Sequence, residues 1–135
     1  MKIFKLLLLL LTGILLYLLV TYLVVRFYPD DPSKMNWMDR EAFNARFIAR
    51  LQDQAPVQQE HLISRLGSPD ITEAFRHQDQ VYQLLYYRTH RKAADGITTT
   101  DECTALLFIE RQLAAIGEEA VRQYRAKKSD VPDLR

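Results

Sequence analysis

The stretch Val81-Tyr-Gln-Leu-Leu-Tyr-Tyr-Arg-Thr89 decides the fold of this chain. It is rich in aromatic and branched side chains and contains neither glycine nor proline, which is typical of a β-strand. A second apolar stretch at residues 102–110 and a short third one at residues 112–116 have the same character. Because Glu110, at the end of the second stretch, and Arg111 are enough to form a two-residue turn between them, we expect a tight hairpin there. The three stretches predict an antiparallel sheet.

A helical hairpin is predicted before the sheet. Apolar residues recur at helical spacing over residues 37–54, behind Asn36 as a candidate N-cap. A second helix is predicted over residues 56–66, because its proline falls in the first turn, where the missing N–H costs nothing. Gly67 supplies a left-handed end for this helix, and Pro69 blocks its continuation.

A last short helix is predicted over residues 118–128, after the sheet. A helix of about ten residues is not stable alone in water, so it must pack on another element. The order ααβββα predicts an α+β fold, in which the helical hairpin packs on a three-stranded antiparallel sheet to give two layers. Both faces of the strands are apolar, so the second face is either covered by the last helix and the Trp37 region or left open for a partner.

The first 28 residues predict an uncleaved membrane anchor. Lys2 and Lys5 precede an apolar run at residues 6–25, which Arg26 ends. Twenty residues in a helix span about 30 Å, the thickness of a bilayer's hydrocarbon core. The sequence after the run has no small-x-small pattern for a signal peptidase. The charges flanking the run weakly favour a cytoplasmic N-terminus and a C-terminal domain outside the cytoplasm.

This reading divides the chain into four segments. We expect a transmembrane signal anchor at residues 1–28, a polar spacer at 29–35, a soluble domain at 36–126 and a flexible tail at 127–135. Of the 18 lysines and arginines, two lie before residue 26, which leaves 16 against 17 acidic residues and a net charge of −1. Nucleic acid is therefore not an expected partner.

A longer motif spans the connection between the first two predicted strands. It begins Tyr87-Arg-Thr and continues Asp95-Gly-x-Thr-Thr-x-Asp-Glu-Cys-Thr104. With further matches over residues 36–124, this string resembles a family of uncharacterised proteobacterial envelope proteins, a domain of unknown function. At lower specificity, two helices, a Leu-Gly-x-Pro stop and three strands resemble the SmpA/OmlA (BamE-like) fold. The resemblance implies a Gram-negative envelope location, and the absence of a lipidated N-terminal cysteine favours the inner membrane with the domain in the periplasm.

The connection itself is a candidate recognition loop, because long ordered loops are often functional. The alternative is a hairpin loop held only by its own side-chain hydrogen bonds, with the Asp95-Gly96 dipeptide as a turn. The candidate partner-binding residues are His90, Arg91, Lys92, Asp95, Ile97, Thr99 and Asp101.

Other residues are expected to have structural roles. Asn44 is expected to bond backbone groups of residues 66–70, and Arg88 to pair with Glu102 or Asp101 across the hairpin. The full set is Trp37, Arg40, Asn44, Gly67, Pro69, Arg88 and Gly96.

The sequence predicts the function of this protein only in outline. We expect a non-enzymatic, membrane-anchored protein-interaction module in envelope assembly or maintenance, with an envelope protein or a second copy as its partner and no cofactor or metal. The alternative is an enzyme or metal protein that uses His90, Asp95, Asp101 and Cys103, although these residues have no known ligand spacing and Cys103 reads as a small buried hydrophobe. A third option is a domain that binds lipid or peptidoglycan.

Overall fold

A computed structural model describes residues 1–28, 30–52 and 56–132 of the chain. Contacts divide the chain into two compact units, Met1–Asp30 and Asp31–Arg135. The first unit is a single helix, α1 (Lys2–Phe27), with a mean hydropathy of 2.6 over its most apolar window and none of that window buried. This helix is long and apolar enough to span a membrane.

The second unit is an α+β domain, as the sequence predicts, but its sheet has four strands rather than three. The antiparallel sheet has the order β1-β2-β3-β4, so each strand pairs with the next strand in the sequence. The elements are α2 (Trp37–Leu51), α3 (Gln59–Leu66), β1 (Ile71–His77), β2 (Gln80–Arg88), β3 (Cys103–Ile109), β4 (Gln112–Ile116) and α4 (Glu118–Ser129).

The additional strand is β1, which pairs with β2 from Ile71 opposite Tyr86 to His77 opposite Gln80. A two-residue turn joins the strands, and both of its residues have positive φ, 49° at Gln78 and 63° at Asp79. Two such residues give the turn whose twist matches that of an antiparallel hairpin. The predicted Glu110–Arg111 hairpin is confirmed and has the same conformation.

The helix boundaries differ slightly from the prediction. Asn36 is the N-cap of α2, where its Oδ1 accepts a hydrogen bond from the Asp39 N–H at 2.9 Å. This helix ends at Leu51. The prediction extended it to residue 54, which is wrong for Gln52, and residues 53 and 54 lie outside the described part of the chain. The second helix begins only at Gln59, so Pro56 precedes it rather than lying in its first turn. α4 continues to Ser129, into the segment expected to be a flexible tail.

The domain has three layers, so the two-layer expectation is also wrong. One face of the sheet packs on α2 and α3, through a cluster that includes Leu62, Leu66 and Phe108. The other face packs on α4, through a cluster that includes Leu107 and Tyr124. Because strand residues alternate between faces, a sheet that is apolar on both faces needs a helix layer on each. The terminal helix covers the second face, as one of the two alternatives predicted, but the expected contribution of the Trp37 region is wrong, because Trp37 lies on α2, which packs on the first face.

Candidate functional site

Arg88, the last residue of β2, connects three parts of the domain. Its Nη2 lies 3.3 Å from Oε2 of Glu102, which precedes β3, and its Nε lies 3.4 Å from Oε2 of Glu41 on α2. The first ion pair confirms one of the two partners that the sequence predicts. Glu102 is 1% exposed, so its charge depends on these neighbours rather than on water.

Glu102 also holds the loop between β2 and β3. Its Oε1 accepts hydrogen bonds from the backbone N–H groups of Lys92 at 2.8 Å and Ala93 at 3.1 Å. Its backbone carbonyl accepts from Thr89 and His90 at 3.1 and 3.2 Å. The two donors to the carboxylate lower the pKa of Glu102 below its ordinary value, against the opposing effect of burial. One buried carboxylate therefore holds the start of the loop between β2 and β3, which has no regular secondary structure there.

Arg40 and Asn44 lie one turn apart on α2 and face the same region. Asn44 donates from Nδ2 to the carbonyl oxygen of Arg88 at 3.0 Å, so the expectation that it bonds residues 66–70 is wrong. Arg40 makes that connection instead, by donating from Nη2 to the Ser68 carbonyl at 2.9 Å. The two side chains attach α2 to the end of β2 and to the turn after α3.

Gly67 and Gly96 each occupy a position with positive φ. Gly67 follows α3 with φ 77° and ψ −166°, a mirror-extended conformation rather than the left-handed helical end that the sequence suggests. Its carbonyl accepts a hydrogen bond from the buried Tyr87 hydroxyl at 2.8 Å, and Pro69 lies in the same turn. Gly96, with φ 72°, lies in the loop turn in which Asp95 Oδ1 accepts from the Ile97 N–H at 3.0 Å.

A polar cleft lies between α2 and the end of β2. Its volume is about 220 Å³. We call it the Arg88 cleft, and its lining includes Met35, Trp37, Arg40, Glu41, Asn44, Asp70 and Arg88. A second depression of about 280 Å³ lies beside it, lined by Trp37, Arg88, Arg91, Ala93 and Gly96. Trp37 and Arg88 line both, so the two form one continuous region.

The rim of this region carries exposed apolar side chains. Within residues 31–52 and 56–132, the exposed large hydrophobic residues are Trp37 (48%), Met38 (58%) and Ile97 (61%). Ile97 stands between Gly96 and Thr98, which line the two depressions. The Arg91 guanidinium lies 4.8 Å from the centre of the Trp37 ring, within cation–π distance. We call Trp37, Met38, Arg91 and Ile97 the Trp37 surface.

The structure divides the predicted recognition residues between two places. Arg91 and Ile97 belong to the Trp37 surface, whereas His90, Lys92 and Asp101 line a groove of about 420 Å³ beside the start of α4. Thr99 donates from its hydroxyl to Asp101, and Lys92 Nζ lies 3.3 Å from the same carboxylate.

Cys103, which the hypothesis of an enzyme or metal protein uses, lines the same groove. Burial raises the pKa of the half-buried Cys103 thiol to about 12, so a thiolate is disfavoured at neutral pH. Across the part of the chain that the structure describes, histidine, cysteine and acidic residues form no group of three or more that could hold a metal ion.

Glu41 and Asp70 line the Arg88 cleft but were not singled out from the sequence. Glu41 pairs with a residue 47 positions later, and no local pattern predicts such a contact. Asp70 accepts from the Arg88 N–H at 2.8 Å, again across distant positions.

An N-terminal apolar helix followed by a four-stranded α+β domain defines the class of this protein. The chain belongs to the family described as "Protein of unknown function (DUF3192)", whose family model matches residues 21–123. The match confirms the expected membership of a family of unknown function and covers all of the Arg88 cleft and the Trp37 surface. No curated protein and no solved structure matches the chain.

Proposed function

We propose that this protein is a membrane-anchored, non-enzymatic interaction module of the bacterial cell envelope, which binds a partner protein through the Trp37 surface. In this proposal the partner is an envelope protein and the module serves envelope assembly or maintenance. Residues 6–25 of α1 hold it in the inner membrane, with the N-terminus in the cytoplasm and the domain in the periplasm.

The observation that carries the proposal is the grouping of exposed apolar side chains at one place. Trp37 on α2 lines both depressions, and the two chain neighbours of Ile97 line one each, Thr98 the Arg88 cleft and Gly96 the depression beside it, although Trp37 and Ile97 are 60 positions apart. Met38 is the exposed residue that follows Trp37 in α2. Aromatic residues, methionine and arginine are enriched in protein interfaces, and exposed apolar groups are commonly binding sites. The loop between β2 and β3, which carries Ile97, is held by hydrogen bonds to Glu102 and Asp95. A surface that is already ordered loses little entropy on binding, which also favours a binding role.

The anchored position supports the proposal in a second way. A module held in a membrane meets membrane partners at a high effective concentration, so a small binding surface is sufficient. The envelope location and the orientation rest on the motif resemblance and on the flanking charges described above. A reporter enzyme that is active only outside the cytoplasm, fused after residue 135, tests the orientation. Activity is the expected result, and an inactive fusion beside an active cytoplasmic reporter would contradict it.

The partner hypothesis is tested by photo-crosslinking in native membranes. A photoreactive residue replaces Ile97 on the Trp37 surface. Arg50 is the matched control position, because it is also exposed but lies at the far end of α2. We expect one discrete protein adduct from Ile97 and none from Arg50. Adducts that are equal at the two positions, or adducts to lipid alone, would refute the proposal.

A further inference from the structure

We propose that the outer edge of β1 is a pairing site for β1 of a second copy of this chain, so that two four-stranded sheets continue into one. The inference is independent of the Trp37 surface, because it rests on the two edges of the sheet. β1 and β4 are the outermost strands, and their outer sides differ.

The outer side of β4 is protected. Residues 57–59 run along it, where the Gln59 N–H donates to the Arg111 carbonyl at 2.8 Å and the Leu113 N–H donates to the Val57 carbonyl at 2.9 Å. β4 also has only five residues, and its pairing with β3 contains a register shift. Cover, short length and irregular pairing are the ways in which proteins prevent an edge strand from pairing with another chain.

The outer side of β1 has none of these protections among the described residues. β1 has seven residues without a proline and pairs with β2 without a register shift. Because a two-residue turn joins the strands, His77 forms a hydrogen-bonded pair with Gln80, and every second residue before it also bonds to β2. The backbone N–H and C=O groups of Thr72, Ala74 and Arg76 therefore point outward. The three residues are exposed, and no other described element hydrogen-bonds to these groups.

An extended strand is the occupant that fits this edge, because a strand offers alternating donors and acceptors at the matching spacing. A second copy supplies such a strand, and two-fold pairing satisfies the open edges of both copies at once. Each copy also carries α1, which is long and apolar enough to span a membrane. Copies held in one membrane meet at a high effective concentration, which favours self-pairing.

Charge and length specify the register of the pairing. Antiparallel pairing centred on Ala74 places Thr72 opposite Arg76 of the second copy, and it pairs all seven residues through about six hydrogen bonds. In this register Glu73 lies opposite an aromatic ring, and Asp70, just before β1, lies diagonal to Arg76 of the second copy. A shift by one pair toward the start of the strand would place Glu73 opposite Glu73, which is unfavourable.

The inference is tested by disulfide formation in native membranes, with the full chain in a Cys103→Ala background. In a hydrogen-bonded antiparallel pair the opposite Cα atoms are about 5.5 Å apart, within the range of about 4.4–6.8 Å that a disulfide spans. Ala74→Cys should therefore give a covalent dimer under mild oxidation. Thr72→Cys and Arg76→Cys are the matched controls, because each lies four residues along the strand from its own copy, at least about 13 Å away. We expect no dimer from either control alone, and a dimer when the two are expressed together.

A second readout tests the backbone pairing. Ala74→Pro removes one outward N–H, which an edge strand tolerates, and Ala74→Ser keeps it. Added to the co-expressed Thr72→Cys and Arg76→Cys chains, the proline should abolish the dimer and the serine should preserve it, while circular dichroism verifies the fold. Equal crosslinking of the three single-cysteine variants, which indicates random collision, overturns the inference. So do the absence of any dimer, an unchanged dimer in the proline variant, and an adduct that mass spectrometry assigns to a different protein.

Discussion

Replacing Tyr124 by alanine should destabilise the domain strongly, because this side chain joins α4 to the second face of the sheet. Tyr124 is 1% exposed, and its ring centre lies 4.9 Å from that of Phe75 in an edge-on arrangement. Deleting an aromatic side chain from a filled core costs about 3–5 kcal/mol. The Tyr124 hydroxyl is buried without a hydrogen-bond partner among the described residues, so its removal offsets part of that loss. We therefore expect a decrease in the free energy of unfolding of about 3 kcal/mol, at the lower end of that range.

The matched control is Tyr124→Phe, which removes the hydroxyl and keeps the ring. Its free energy of unfolding should be unchanged or about 1 kcal/mol higher, since no hydrogen bond is lost and a buried polar group disappears. Urea unfolding of the full chain in detergent micelles, followed by the fluorescence of Trp37, the single tryptophan, measures both variants. In a thermal scan the alanine variant should melt roughly 12 °C lower, at about 4 °C per kcal/mol for a domain of this size.

The result that would refute this reasoning is a small effect of the alanine variant. A loss below about 1 kcal/mol is typical of a partly exposed side chain, and it would mean that α4 does not cover the sheet. A large loss in Tyr124→Phe would instead mean that the hydroxyl has a partner, which the structure does not give it.

Three further predictions concern backbone conformation and pH. Gly67→Ala should lower the free energy of unfolding by about 1–3 kcal/mol, because φ 77° with ψ −166° is accessible almost only to glycine, and an unchanged urea midpoint would contradict this. Asp79→Gly should raise it by about 1 kcal/mol, because a non-glycine residue at φ 63° is strained, and the same urea titration checks the sign. The pKa of Glu102 is lower in the folded state than its ordinary value of 4.5, so its carboxylate stabilises the fold above pH 4.5 and this contribution is lost as the pH falls through the folded-state value. Unfolding measured between pH 6 and pH 3 should therefore show a shallower loss of stability in Glu102→Gln than in the wild type; parallel curves would count against this assignment.

Local sequence patterns predicted most of the elements, because each of those elements has a local cause. The strands β2, β3 and β4 are dense in apolar residues, and the Asn36 cap and the apolar spacing behind it mark the start of α2. β1 was missed because its large apolar residues, Ile71 and Phe75, are four positions apart, a spacing typical of a helix, and only Thr72, Glu73 and the small Ala74 lie between them. Because this strand was missed, the predicted sheet has three strands, whereas the observed sheet has four.

The candidate site was predicted less well, because it is made by contacts between distant positions. The loop was recognised as a candidate from its length and its motif, and the pair of Arg88 with Glu102 from their expected places in one hairpin. The meeting of Glu41 with Arg88 depends on how α2 packs on the sheet, which sequence periodicity does not determine. For the same reason Asn44 was assigned to the turn after α3, although it contacts the end of β2.

The most direct test of the central claim is the recovery of a partner from gently solubilised native membranes. Tagged wild-type chain is compared with a Trp37→Ala/Ile97→Asp variant, whose two changes lie on exposed side chains and should leave the fold intact, as circular dichroism can verify. The account predicts a partner protein in fixed stoichiometry with the wild type and its loss from the variant. Recovery of the same partner with both chains, or of the chain alone in both cases, would contradict a binding role for this surface.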